Sequence, residues 1–216
     1  MNILFVVCGE GLGHASRSTK LANHLKRRGE NCVFASYGKA YSFIQKQTDC
    51  IVYEISREVT LEGSGGYFSI GKTLKSSLGI PVSLMKSFFT ARRILKQENI
   101  DVVVCDTMFA AGVAAKTLGI PVLFMTNQNY FSSLAEPNVW YWNLFGKVIR
   151  TYLSLIPKKV LVPDFAPPHT ISGYNFRIAE KEKARYIFIG PILDSSIHDF
   201  APSEEIVFAS FGGEPF

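Results

Sequence analysis

The residues best suited to chemistry gather at the end of the first apolar run. Ile3–Cys8 is followed by Gly9, Glu10, Gly11, Leu12, Gly13 and His14, and a helix-like segment begins at Ala15. Glycines at this spacing let the backbone turn sharply and let a ligand approach it closely. The N-terminus of the following helix offers free N–H groups and the positive end of a dipole, which suits an anion such as a phosphate. His14 falls where the first helical turn should begin. The positive helix end disfavours an imidazolium there, so a neutral histidine able to act as a base is expected. The spacing is Gly-x-Gly-x-Gly, not the Gly-x-Gly-x-x-Gly of dinucleotide folds. The second apolar run ends Ala35-Ser36-Tyr37-Gly38, with no acidic residue to hold a ribose. A nicotinamide or flavin cofactor is therefore not expected, and a tight turn that binds nothing stays open as the plain alternative.

The elements that must position this loop follow from the rest of the pattern. Apolar runs recur at Ile3–Cys8, Cys32–Ser36, Cys50–Ile55, Val102–Cys105, Pro121–Met125, Lys159–Val162 and Tyr186–Ile189. They are rich in Val, Ile and Phe and mostly do not alternate with polar residues, which fits strands buried on both faces of a parallel sheet. The segments between are long enough for helical crossovers. Ala15–Arg28 reads as a helix stopped by Gly29, and Phe109–Leu118 as one stopped by Gly119. The expected fold is α/β: a doubly wound, Rossmann-like parallel sheet of about seven strands. His14 then lies on the C-terminal edge of the sheet, where open α/β folds bind ligands.

The stretch Gly9-Glu10-Gly11-Leu12-Gly13-His14-Ala15-Ser16-Arg17-Ser18 resembles the opening of GT-B glycosyltransferases. It is most similar to the group of the N-acetylglucosaminyltransferase that acts on lipid-linked peptidoglycan precursor. Weaker similarity continues at Asp101–Asp106, Met125–Gln128 and Ile189–Pro191, and Phe208–Gly213 looks like the first strand and glycine loop of that family's C-terminal domain. The resemblance implies an acceptor-side domain over residues 1–190, an interdomain linker over 191–203, and the start of a truncated donor-binding domain over 204–216. It implies inverting, metal-independent transfer of a sugar from a nucleotide-diphosphate sugar to an acceptor hydroxyl. N-acetylglucosamine carried on UDP, or another hexose, is the expected donor, with a carbohydrate or lipid-linked acceptor and no cofactor. His14 would be the base or would stabilise the leaving group. Asp106 would be a second base, unless it merely caps the following helix. Gly11, Gly13, Gly212 and Gly213 would approach the donor phosphates, and Glu10, Arg17, Asn127 and Gln128 would face the acceptor. Without its donor half the chain should be inactive.

Gly66-Tyr67-Phe68-Ser69-Ile70-Gly71-Lys72-Thr73 competes with this reading, because it fits the phosphate-binding Gly-x-x-x-x-Gly-Lys-Thr expression. Such a loop must follow a buried strand directly, yet 57–65 is polar and glycine-rich. An ATP or GTP hydrolase and a binding module without enzymatic activity remain the alternatives.

Charge is unevenly placed. The chain has 216 residues, 47% of them hydrophobic, with 23 basic and 18 acidic side chains, for a net charge of +5. That excludes disorder and predicts one large domain, or one domain and a fragment. Residues 63–97 contain no acid and carry Lys72, Lys75, Lys86, Arg92, Arg93 and Lys96 among exposed-looking Phe and Met residues. This combination fits a mobile lid or an anionic membrane surface. Residues 137–163 also lack acids, and there Tyr141, Phe145, Val148 and Tyr152 form one helical face. Aromatic–basic interleaving on a sheet face is missing, as is a helix-turn-helix pattern, so nucleic acid is not expected. Cys8, Cys32, Cys50 and Cys105 lie in or beside apolar runs without metal-ligand spacing, and read as free thiols in a reducing cytoplasm. No signal peptide or membrane-spanning run is recognised. A cytoplasmic protein, peripheral on the inner face of the membrane, is the resulting expectation.

Overall fold

The computed structural model describes residues 1–58, 63–64, 67–68, 79–130 and 140–193. Strands β1 (Asn2–Val7), β2 (Asn31–Ser36) and β3 (Ile51–Glu54) come first. β4 (Gly63–Ser64) and β5 (Tyr67–Phe68) form a separate antiparallel pair. β6 (Val102–Asp106), β7 (Val122–Met125), β8 (Lys159–Val162) and β9 (Tyr186–Phe188) complete a seven-stranded sheet of order β3-β2-β1-β6-β7-β8-β9. Every pairing in that sheet is parallel. These are the seven apolar runs of the sequence, and the doubly wound α/β expectation holds.

Among the described residues, five α-helices cover the sheet: α1 (Leu12–Arg27), α2 (Gly38–Gln47), α3 (Ile80–Gln97), α4 (Ala110–Thr117) and α5 (Trp140–Leu155). On one face, Ala15, Ala22, Ala40 and Ile44 of α1 and α2 pack on Ile3, Phe5, Val7 and Phe34. On the other, Ala91 and Ile94 of α3, Ala111 and Ala114 of α4 and Leu153 of α5 pack on Leu4, Val6, Val103 and Phe124. Successive residues of β1 thus feed opposite cores, and Leu4 through Val7 are all fully buried. This is why the run does not alternate with polar residues. Each such side chain contributes about 1.5–3 kcal/mol by leaving water.

Two local expectations change. Helix α1 begins at Leu12 rather than Ala15, which takes Gly13 and His14 into its first turn. Of the α5 face read from periodicity, Tyr152 packs on the core, but Phe145 and Val148 are 38% and 56% exposed, and Ile149 and Leu153 are buried in their place. The periodicity shows an apolar stripe, but the approach of α4 selects which stripe packs. Gly112 of α4 lets Tyr152 lie alongside, and the Tyr152 hydroxyl donates to the Phe109 carbonyl at 2.9 Å. The expected linker over 191–203 is described only to residue 193, and 204–216 lie outside the described residues.

A methyl group on Gly112 would sit 2.1 Å from the Tyr152 hydroxyl oxygen. Gly112→Ala is expected to destabilise the fold by about 1–3 kcal/mol in urea unfolding, the usual cost of forcing extra volume into a packed contact. A neutral result would mean that α4 and α5 do not meet here.

Candidate active site

The order of the sheet reverses between β1 and β6, and both strands end there in residues able to do chemistry. At such a switch point the loops diverge and leave a crevice. The glycine loop leaves β1 pressed against the end of β2. A Cβ on Gly9 would lie 2.4 Å from the Tyr37 ring, so only glycine fits. Gly11 has φ 73° and ψ 163°, a backbone state that side chains resist, and it opens α1 directly. The Cys8 N–H donates to the Asp106 carbonyl at 3.0 Å and locks the two strand ends together.

Asp106 is completely buried and is the hub of the cluster. Its Oδ2 accepts from Arg17 Nε at 2.7 Å and from Ser18 Oγ at 3.0 Å. Its Oδ1 accepts from Arg17 Nη2 and lies 2.7 Å from His14 Nδ1. His14, Arg17 and Ser18 stand three and four residues apart on α1, so one helix face presents all three. Burial alone would push the Asp106 carboxyl up. The hydrogen bonds and charges of Arg17 and His14 outweigh it and hold the carboxyl below the usual carboxylate range. An ionised carboxylate only accepts, so in its neutral form His14 carries its proton on Nδ1. That leaves Nε2, on the opposite side of the ring, as a free acceptor. Arg17 Nη2, 3.0 Å from His14 Nδ1, is then a second donor aimed at the same oxygen. The next residue, Thr107, has φ +58°, a left-handed state costing a β-branched residue about 1–3 kcal/mol.

The remaining candidate residues divide. Arg17 also donates from Nη1 to Asn127 Oδ1 at 2.7 Å, which brings the end of β7 into the cluster. Gln128 is exposed beside it, with its N–H bonded to Thr126 Oγ1 at 3.2 Å. Gly13 has open space where a Cβ would stand, so the first turn of α1 is accessible to a ligand. Glu10 is held by Arg57 through two bonds of 2.6 and 2.9 Å and accepts from the Tyr37 hydroxyl at 3.2 Å. Gly212 and Gly213 lie outside the described residues.

Asp106 does not cap α4. Glu58 does so, accepting from the Phe109 and Ala110 N–H groups at 2.6 and 3.2 Å. Sequence reasoning missed Arg57, Glu58, Ser18 and Thr107. Only Ser18 carried a local signal, its spacing of four from His14. Of the Gly66–Thr73 match, only Tyr67–Phe68 are described. They pair with Gly63–Ser64, and the preceding strand of the main sheet ends at Glu54. Among the described residues, no three His, Cys, Asp or Glu side chains gather as metal ligands would.

The depressed carboxyl of Asp106 gives a signed prediction. Its ionised form stabilises the fold, fully so above the ordinary carboxylate value of 3.8 and progressively less as pH falls through the lower folded value. Asp106→Asn is expected to cost about 3 kcal/mol at neutral pH, because Arg17 loses its counter-charge. The difference from wild type, followed by urea unfolding, should stay constant down to about pH 4 and shrink below it. A difference that does not shrink in acid would show that Asp106 is not the ionised hub.

The fold and site agree with what the chain is similar to. The family model described as glycosyl transferase family 1 matches residues 1–205. An uncharacterised glycosyltransferase of Methanosarcina acetivorans is 30% identical over 200 residues, covering 90% of this chain and 50% of that protein. A UDP-N-acetylglucosamine–N-acetylmuramyl-(pentapeptide) pyrophosphoryl-undecaprenol N-acetylglucosamine transferase of Psychromonas ingrahamii is 29% identical over 154 residues, covering 68% of this chain and 41% of that protein. The crystal structure of Acinetobacter baumannii MurG superposes with a TM-score of 0.54 at 20% identity, covering 83% of this chain and 43% of that one, a likeness of fold. The chain spans about half the length of the curated relatives that match it over most of its length. With its all-parallel sheet reversing at a glycine loop that ends in His14, the chain belongs to glycosyl transferase family 1 and has the fold of one half of a GT-B enzyme.

Proposed function

We propose that the whole protein transfers a sugar, N-acetylglucosamine or another hexose, from a nucleotide-diphosphate sugar to an acceptor hydroxyl with inversion. The observation that carries this reading is the 2.7 Å contact between His14 Nδ1 and the buried Asp106 carboxylate at the switch point. Asp106 fixes the ring and its tautomer, and His14 Nε2 takes the proton from the acceptor hydroxyl as that oxygen attacks the anomeric carbon. Asp106 stays ionised and balances the imidazolium that forms. It is a positioning group, and the role of base falls to His14. The diphosphate leaves with the bonding pair, and its charge is met by the N–H groups at the start of α1, beside the open Gly13, together with Gly212 and Gly213 of a donor-binding domain. No metal is required in this scheme, because helix N–H groups and dipole meet the leaving charge. UDP-N-acetylglucosamine is the favoured donor because the Psychromonas relative is named for it.

The acceptor is lipid-linked in this reading, and the protein works on the inner face of a membrane. Val82, Met85 and Phe89 project from α3 with high exposure, alongside exposed Lys86, Arg93 and Lys96. Between α3 and α5 runs an apolar groove of about 410 Å³, lined by Leu84, Met85, Phe88, Phe89, Val113 and Tyr152. Apolar side chains ringed by cations suit anionic headgroups over acyl chains. No helix among the described residues is long and apolar enough to cross a membrane.

In a preparation of the full-length protein, UDP-N-acetylglucosamine should raise the melting temperature and His14→Ala should lower kcat/KM by about 10²–10⁴-fold. An unchanged rate would remove His14 from the mechanism. The membrane reading has its own test. The protein should float with vesicles containing anionic lipid at low salt, and Met85→Glu with Phe89→Glu should abolish flotation without lowering thermal stability. Wild-type protein left in the soluble fraction would end that part of the proposal.

A further inference from the structure

Residues 55–58 leave β3, and their side chains reach both loops of the switch point. Ile55 is still tied to the sheet, donating to the Ser36 carbonyl at 3.0 Å. Arg57 then grips the glycine loop through both carboxylate oxygens of Glu10, at 2.6 and 2.9 Å. Its neighbour Glu58 grips the other loop through the Phe109 and Ala110 N–H groups. Helix α3 closes the arrangement from behind. Ser87 Oγ donates to Glu58 Oε1 at 2.7 Å, and Ser83 Oγ donates to the Arg57 carbonyl.

Glu58 is an expensive way to cap a helix. It is 1% exposed, and among the described residues its partners are a hydroxyl and two N–H groups, with no cation. Burial accordingly pushes its carboxyl up, against the pull of those donors. A serine or aspartate at the N-cap position would satisfy first-turn N–H groups locally, yet Phe109 stands there and offers no side-chain cap, and Glu58 instead takes the Phe109 and Ala110 N–H groups at the helix entry. The link between Asp106 and Phe109 contains Thr107 in its left-handed state. A strained link keeps its shape only if both ends are anchored. The near end is anchored by the Cys8 N–H on the Asp106 carbonyl, and the far end by Glu58 on the Phe109 N–H.

We propose that Arg57 and Glu58 are positioning residues that clamp the loop before His14 and the loop after Asp106 into one geometry. Arg57 sets the glycine loop, and with it the first turn of α1. Glu58 sets the loop that follows Asp106. The consequence for catalysis rests on the transferase reading above; the consequence for geometry does not. The experiment therefore reads both. Imidazole NMR of His14 in the substrate-free protein follows the Nδ1 proton shared with Asp106, while full-length enzyme gives kcat and KM. In Glu58→Gln and Arg57→Ala the amide spectrum should stay folded, while the Nδ1 proton signal shifts or is lost. The value of kcat should fall on the order of 10²-fold, with KM for the donor unchanged within about twofold. If His14 signals are identical to wild type in both variants while only the melting temperature drops, Glu58 is a helix cap, Arg57 is a surface pair, and the clamp is refuted. Should Glu58→Gln fail to fold, Arg57→Ala and Ser87→Ala decide by the same signal. A disturbed His14 signal in a protein whose wild type turns over no nucleotide sugar would uphold the clamp and overturn the transferase.

Discussion

A carboxylate with no exposed surface costs several kcal/mol to desolvate unless donors and cations surround it. Asp106 is such a group at the end of a central strand, and the arrangement around it follows from satisfying it. Its two oxygens accept from Arg17, from Ser18 and, through Nδ1, from His14. Those donors sit on one face of one helix, so α1 must dock with that face toward β6 and within hydrogen-bond reach. The docking in turn requires the sharp turn at Gly9–Gly11, because only four residues separate the end of β1 from the start of α1. A single buried charge thus links the sheet order, the loop composition and the angle of the first helix.

The two anchors on either side of Asp106 have different physical origins. Toward the core, β1 and β6 are held by ladder hydrogen bonds and by apolar side chains on both faces of the sheet. Toward the crevice the backbone runs through a strained residue at Thr107. There the structure relies on polar contacts made over long sequence separations, by Arg57 to Glu10 and by Glu58 to Phe109. Polar contacts are directional where hydrophobic burial is not. That suits a place where a histidine must present one particular ring nitrogen.

The outer surface follows another logic. Val82, Met85 and Phe89 on α3 and Leu144 and Val148 on α5 contribute little to the core, and a soluble surface normally disperses such residues. Meanwhile Ser87, Ala91, Ile94 and Leu95 on the inner side of α3 do the packing. One helix therefore serves two interfaces: the Ser87, Ala91, Ile94 and Leu95 stripe against the sheet side, and an apolar stripe flanked by basic residues turned outward. Ser83 and Ser87 connect this same helix to the Arg57–Glu58 segment, so the outward face and the site share a support.

Local pattern alone was enough for the strands, the class of fold and the first half of the site. Runs such as Ile3–Cys8 and Val102–Cys105 are local signals, because burial on both faces imposes apolar residues at every position of one strand. Gly9, Gly11 and His14 were legible for a similar reason: a strand–turn–helix within a dozen residues is governed by backbone sterics. Asp106 was visible as the end of a strand, but not as the partner of His14. The folded chain sets that pairing across 92 residues, together with the joining of Asn127 to Arg17 and the capping of α4 by Glu58 rather than Asp106. It also decided which stripe of α5 is buried, since Val148 and Ile149 are both apolar and only the neighbouring helix distinguishes them. Periodicity records the environment of a residue one turn or one strand away. Which distant residue completes a hydrogen bond depends on strand order, which the crossovers establish only when the chain has folded.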